Sequence, residues 1–183
     1  MEIGNTFFTS LAQRGACEAA EERCLRYLDS IGLPYAGLTH EAADTIELCE
    51  IIETRLGAPI VKNLFLCNQQ KTAFYLLIMP GKKVFKTKYL SKQIGSARLS
   101  FADAESMERY LGLRPGSVSV FGLINDTGKN VRLIFDKDIL TYDYVGFHPC
   151  KNTSTLKLSF SDLTGVFLPA VGYTPALVEL PEE

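Results

Sequence analysis

Ile60-Val61-Lys62-Asn63-Leu64-Phe65-Leu66-Cys67-Asn68-Gln69-Gln70-Lys71-Thr72-Ala73-Phe74-Tyr75-Leu76-Leu77-Ile78-Met79-Pro80 is the stretch that decides the fold. Two runs of β-branched, aromatic and aliphatic residues, Ile60 to Cys67 and Thr72 to Met79, flank the polar turn Asn68-Gln69-Gln70-Lys71. Such runs, bounded by turn chemistry, read as paired strands. Pro80-Gly81 ends the second, because proline cannot donate to a ladder and glycine loosens the backbone. Lys62 is out of place in a strand otherwise suited to burial. It must snorkel, sit at an edge, or reach into a cleft that holds an anion.

On the N-terminal side the pattern is helical. Cys17, Ala20, Cys24, Leu28 and Ile31 recur every three or four residues, with Glu18, Glu21, Glu22, Arg23 and Arg26 on other faces and Gly32 as the stop. Residues 1–15 have weak pattern and read as a lead-in. Pro34 to Leu38 is a short extended segment. A second helix is expected from Asp44 to Leu56, where Asp44 and Glu47 make a capping-box-like start and Gly57 ends it. On the C-terminal side Thr87 to Ile94 reads as a helix, Leu99 to Phe101 as a strand, and Asp103 caps a helix through Leu111. Val118 to Ile124 and Val131 to Phe135 read as a hairpin around Asn125-Asp126-Thr127-Gly128. Tyr142 to Phe147 and Leu156 to Leu158 read as strands, Ser161 opens a last short helix, and the tail from Pro169 reads as irregular. The class is α+β: two N-terminal helices, then a mostly antiparallel sheet with short helices between strands.

Composition excludes several function classes. The chain has 183 residues, 46% hydrophobic and 22% charged, enough for one domain with a core. Net charge is −2, so this is not a general polyanion binder, and a nucleic acid would need a local basic patch. The five cysteines are scattered without a C-x-x-C pair, which fits reduced thiols in a cytoplasmic protein. No apolar run approaches the ~20 residues of a membrane span. There is no G-x-S-x-G, P-loop or G-x-G-x-x-G, and no metal-ligand spacing.

Three stretches carry candidate chemistry. Lys62-Asn63 is the first. Gly116-Ser117-Val118-Ser119-Val120-Phe121-Gly122 is a bend whose small residues allow a ligand close to the backbone; ordinary turn chemistry explains it as well. Tyr144-Val145-Gly146-Phe147-His148-Pro149-Cys150-Lys151-Asn152-Thr153-Ser154-Thr155 ends a strand in one of only two histidines. Pro149 biases His148 toward an extended backbone, and the polar run after it can bond the backbone or a ligand. This stretch is either a site wall or a strand crossing with a solvated histidine. Cys150 beside His148 raises a thiol nucleophile as a minor alternative to a structural thiol.

Taken together and in order, Lys62-Asn63-Leu64-Phe65-Leu66, then Leu111 to Val118 with Phe121-Gly122-Leu123, then Gly146-Phe147-His148-Pro149 with Asn152-Thr153, resemble the prolyl-tRNA editing family. This is the superfamily of YbaK and the prolyl-tRNA synthetase insertion domain, and the likeness is greatest to its free-standing PrdX/ProXp-type members. The resemblance runs from about Pro34 to Leu168. It implies the YbaK/ProRS-associated fold, with a mixed, partly barrel-like sheet and short surrounding helices. It divides the chain into a helical extension, 1–33, and an editing domain, 34–183.

The implied activity is hydrolysis of mischarged tRNA(Pro), above all Ala-tRNA(Pro); related alternatives are Cys- or Ser/Thr-charged tRNA, or a non-catalytic module that binds tRNA ends or amino acids. The need for such an activity is physical. A synthetase pocket that admits proline rejects a smaller amino acid by only ~1–3 kcal/mol of lost contact. By resemblance Lys62 and His148 are the catalytic positions. Asn63, Gly116, Ser117, Phe121, Gly122, Asn152 and Thr153 are the substrate-binding ones. The implied partners are the aminoacyl-tRNA(Pro) acceptor end and prolyl-tRNA synthetase, with no cofactor, no metal and no membrane. The 2′-hydroxyl of the terminal ribose helps activate water in such a scheme. One departure stands out: Val120 occupies a position where the family often has proline, which bears on the amino-acid specificity.

Overall fold

The computed structural model describes residues 3–43 and 45–182. Among the described residues eight strands form two sheets, with short helices around them. Strands β1 (Ala36–Thr39), β7 (Ser154–Ser159) and β6 (Tyr144–Phe147) make a three-stranded antiparallel sheet in the order β1-β7-β6. Strands β2 (Val61–Asn68), β3 (Phe74–Pro80), β4 (Leu99–Phe101), β5 (Val131–Asp136) and β8 (Ala176–Val178) make a five-stranded sheet in the order β4-β2-β3-β5-β8. In that sheet β2 pairs antiparallel with β3 and β4, while β5 lies parallel to both β3 and β8.

The sheets touch where Gly146 of β6 meets Ile60 in a single parallel bridge, and the Gly146 N–H donates to Pro59 O at 2.8 Å. A Cβ on Gly146 would stand 3.1 Å from the Ile60 side chain and 3.4 Å from Pro59 O, so glycine suits this close approach of the two backbones, and a larger residue would need Ile60 to shift by a few tenths of an ångström. The barrel-like element is therefore open: among the described residues this one bridge joins the two sheets.

The helices are α1 (Leu11–Arg14), α2 (Ala19–Ser30), α3 (Ile46–Leu56), α4 (Thr87–Ile94) and α5 (Ala104–Leu111), followed by α6 (Phe160–Asp162) and α7 (Leu168–Val171). The last two are joined into one helical run by a π-type turn, Leu163–Phe167. Local chemistry sets the ends. Asp103 accepts the Ser106 N–H at the start of α5, and Gly112 closes that helix in the left-handed region. At α3 the Thr45 hydroxyl accepts the Leu48 N–H at 3.2 Å. Asp44, the expected cap of this helix, lies outside the described residues.

Leu25 and Leu28 of α2 are fully buried, in the same core as Phe121, Phe147 and Phe167. Each such side chain contributes ~1.5–3 kcal/mol by leaving water. The rings of Phe121 and Phe167 meet edge to face at 5.1 Å.

Two expectations are corrected. Val118 to Ile124 is not a strand, and no hairpin joins it to β5: Val120–Asn125 is a 3₁₀ helix, started by the Ser119 hydroxyl accepting the Phe121 N–H. Asp126 then takes the loop's donors, accepting from the N–H groups of Asn130 and Val131 and from the Tyr173 hydroxyl. With those donors satisfied, β5 is free to insert between β3 and β8. The tail from Pro169 is also ordered. Pro169 sits in the first turn of α7, directly after the π-type turn, and β8 follows.

Candidate functional site

Lys62 and Asn63 are successive residues of β2 and belong to the wall of one cavity of about 430 Å³. Lys62 is paired with Met79 of β3 on one side, while β4 pairs with β2 only at Leu66 to Asn68 and so does not reach it on the other. One of its three N–H groups donates to Lys83 O at 2.6 Å. Among the described residues it forms no ion pair, which leaves two donors for a ligand. Lys83 is itself fixed: its Nζ donates to Asp136 Oδ2 at 2.8 Å, Asp138 Oδ2 at 2.7 Å and Leu180 O at 2.6 Å. Lys83 and Asp136 are both buried. Burial pulls the Lys83 ammonium's pKa down, but the two carboxylates outweigh it and hold it above the usual lysine value. A buried ion cluster thus fixes the carbonyl that positions Lys62.

Asn63 bridges two elements. Its Nδ2 donates to Val61 O at 3.2 Å, and its Oδ1 accepts the Val120 N–H at 3.0 Å. That second bond ties the floor of the cavity to the 3₁₀ turn behind it.

His148 is half-buried at the end of β6 and lines the same cavity. Its Nδ1 lies 2.8 Å from Ser154 O and 3.3 Å from Thr155 Oγ1. A carbonyl only accepts, so Nδ1 carries the proton and Nε2 of the neutral ring is a lone-pair acceptor. Burial pushes the His148 pKa below the usual imidazole value, and the neighbouring His40 lowers it further, against the opposing pull of Ser154 O. Neutral imidazole is therefore the form present at pH 7.

His40 is the second histidine, 6.1 Å away ring to ring. Its Nδ1 donates to Glu41 O at 2.6 Å, and its Nε2 accepts the Thr155 hydroxyl at 2.8 Å. Burial lowers its pKa as well.

The remaining walls come from α3 and two glycine-bearing segments. Ile46, Cys49, Glu50 and Glu53 face the cavity at the spacing of one helical face. Glu53 also accepts the Ile60 N–H at 2.9 Å, which locks the helix to the start of β2. Gly81 and Gly116 contribute backbone. Gly116 has φ of 86°, a conformation that favours glycine, and it leaves the backbone open to a ligand.

The structure brings Lys62, Asn63, Gly116 and His148 to one cavity. The other expected positions lie around it. Phe121 is fully buried against Phe147 and Phe167, and Gly122 is pressed on Leu111 and Leu113. Both shape the wall from behind and do not line it. Ser117 is buried and belongs to a neighbouring depression with Arg114, Cys150 and Asn152. Asn152 O accepts the Ala43 N–H at 3.3 Å and Thr153 O accepts the His40 N–H at 2.9 Å, so these two hold the segment that leads into α3.

Sequence reasoning passed over His40, Lys83 and Glu53. A buried lysine two residues after Pro80-Gly81 was the one signal available for Lys83, and nothing local distinguishes it from Lys82. Cys150 is buried beside the site, with φ of 64°, and does not line the cavity. No group of three or more His, Cys, Asp or Glu side chains among the described residues is arranged to hold a metal. No helix among them is long and apolar enough to cross a membrane.

The arrangement can place an ammonium against a carbonyl or phosphate oxygen, and a neutral imidazole nitrogen against a hydroxyl or water. Residues 39–166 match the family model described as an aminoacyl-tRNA editing domain. The prolyl-tRNA editing protein ProX of Acetoanaerobium sticklandii is 35% identical over 161 residues, covering 88% of this chain and 98% of that protein. A prolyl-tRNA synthetase associated domain-containing protein of Xenopus laevis is 28% identical over 161 residues, covering 86% and 95%. Among solved structures, one described as a candidate trans-editing enzyme for prolyl tRNA synthetase superposes with a TM-score of 0.68 at 18% identity. It covers 92% of this chain and all of that one, and it bears on the fold alone.

Proposed function

The chain belongs to the aminoacyl-tRNA editing domain family, and from that premise we propose that it is a free-standing deacylase that clears alanine from mischarged tRNA(Pro). The observation that carries this reading is the convergence of Lys62, Asn63, Gly116 and His148 on one cavity in a chain 35% identical to a prolyl-tRNA editing protein.

The substrate is an ester between the amino acid's carboxyl and the terminal ribose. Water attacks the carbonyl carbon, the carbonyl electrons move to oxygen, and collapse breaks the bond to the ribose oxygen, which leaves with a proton. The two free N–H groups of Lys62 are suited to the developing oxyanion or to the terminal phosphate. Preorganised donors of this kind supply much of the rate in acyl transfer, and Lys83 O holds the ammonium in place beforehand. Neutral His148 presents Nε2 as an acceptor for the ribose 2′-hydroxyl or for the attacking water, so its task is to orient a hydroxyl. Gly116 lets the ester approach the backbone. Ile46, Cys49, Ile60 and Val118 offer apolar surface for a methyl side chain.

The acceptor end of tRNA(Pro) is the partner this chemistry requires, with prolyl-tRNA synthetase as the enzyme whose errors are cleared and the cytoplasm as the place of action. With a net charge of −2 the chain's affinity for tRNA is expected to be modest and salt-sensitive. Incubation of the purified protein with Ala-, Cys-, Ser- and Pro-tRNA(Pro) tests the proposal. Release of alanine with Pro-tRNA(Pro) spared is expected; no deacylation of any mischarged tRNA(Pro) at enzyme excess overturns it.

A further inference from the structure

We propose that Glu21, on the N-terminal helix α2, is a positioning residue for His148, so that the N-terminal segment is a working part of the site. The proposal rests on the reading of His148 as a hydroxyl-orienting group in deacylation.

Glu21 is 1% exposed, an unusual place for a carboxylate, which is rarely fully buried unless it is paired. It is held from one side by Arg14, whose Nε and Nη2 donate to its two oxygens at 2.9 and 3.2 Å. From the other side the Ser154 hydroxyl donates to Glu21 Oε1 at 2.5 Å, across 133 residues of chain. Ser154 is fully buried, and its own carbonyl accepts the His148 Nδ1–H. The carboxylate therefore grips the residue whose carbonyl fixes the tautomer of His148.

The residues on either side of Ser154 serve the other histidine. Thr153 O accepts the His40 N–H, and the Thr155 hydroxyl donates to His40 Nε2. Residues 153–155 thus hold both rings, and Glu21 is the side chain that anchors them from α2. A surface pairing with Arg14 would not require this burial. An outer partner that fixes the orientation and tautomer of a histidine is a recurring means of setting its basicity.

Three variants of the full chain test this: Glu21→Ala, Glu21→Gln and Ser154→Ala, each checked for folding by circular dichroism. Glu21→Ala is expected to lower kcat on Ala-tRNA(Pro) by about tenfold or more, with KM within about twofold, because a misplaced orienting group costs rate more than binding. Glu21→Gln keeps an acceptor oxygen for Ser154 and is expected to stay within about threefold of the parent. The ¹⁵N shifts of His148 should report Nδ1–H in the parent and a mixture of tautomers in Glu21→Ala. Should Glu21→Ala fail to fold, Ser154→Ala removes only the hydroxyl and is expected to give the same two changes. A folded Glu21→Ala or Ser154→Ala chain in which either kcat or the His148 ring-nitrogen shifts match the parent overturns the proposal. The nitrogen shifts need no substrate, so a chain that deacylates nothing would sink the proposed function while this reading is still judged separately.

Discussion

The Val120 N–H donates to Asn63 Oδ1 at 3.0 Å, joining the strand that carries Lys62 to the 3₁₀ turn that backs the cavity. Family resemblance points to proline as a frequent residue where Val120 stands, and proline has no N–H to give. The substitution and the hydrogen bond are therefore one feature. Ser119 is already extended, with φ of −151° and ψ of 151°, so the chain before position 120 tolerates proline. Val120→Pro is expected to fold, to lose about 1 kcal/mol of stability through the orphaned carboxamide oxygen, and to change the ratio of Ala- to Pro-tRNA(Pro) hydrolysis. Denaturant midpoints and the two rates measured on the same preparation check this. An unchanged midpoint with an unchanged ratio would show that the bond is idle.

Among the described residues Lys62 has one hydrogen-bond partner, Lys83 O, a contact between an ammonium and a carbonyl at the cavity wall. Lys62→Ala is expected to lower deacylation by roughly 10²-fold or more if the ammonium positions the ester. Its melting temperature should stay within a few degrees of the parent. Near-normal turnover in that variant would remove Lys62 from the chemistry.

The pH dependence follows from His148. Its unfolded pKa is about 6.5, and burial in the folded chain lowers it. Above pH 6.5 the ring is neutral in both states, and the stability that goes with burying it neutral is fully present. As pH falls from 6.5 through the folded pKa that stability is lost, because the unfolded chain takes up the proton first. Activity that depends on the Nε2 lone pair should fall over the same interval, with an acid limb below pH 6.5 that is absent from a folded His148→Asn variant. A rate profile whose acid limb lies at pH 7 or above would contradict this assignment.

Lys83 is a buried charge with two carboxylate partners. Lys83→Met leaves Asp136, which is fully buried, without its counter-ion. Removal of one partner from a buried pair costs ~3–5 kcal/mol. Equilibrium urea unfolding should show a loss of that size, and any folded fraction should lose activity, because the main-chain carbonyl at position 83 is no longer fixed in place for Lys62. A loss under 1 kcal/mol would mean that water already reaches the pair.

Much of the fold is legible in the chain because its signals are local. Asp103 and Gly112 mark the two ends of α5 in the sequence and mark them again in the structure, since a cap is a bond between residues three to five apart. The two apolar runs and the turn Asn68 to Lys71 between them give β2 and β3 as neighbours for the same reason. The pattern of Val131 to Phe135 likewise declares a strand. It does not declare a partner, and β5 pairs in parallel with β3 and β8 where a hairpin with residues 118–124 was expected.

The site divides along the same line. Lys62, Gly116 and His148 are visible in the sequence through motifs that span a few residues each. Tertiary structure alone decides what holds them: Lys83 reaches Asp136 across 53 residues, His40 reaches Thr155 across 115, and Ser154 reaches Glu21 across 133. Periodicity and capping record which face a residue turns inward and where an element stops. They carry no record of which distant polar group will meet it there, because that meeting is set by how the two sheets and α2 pack after each has formed.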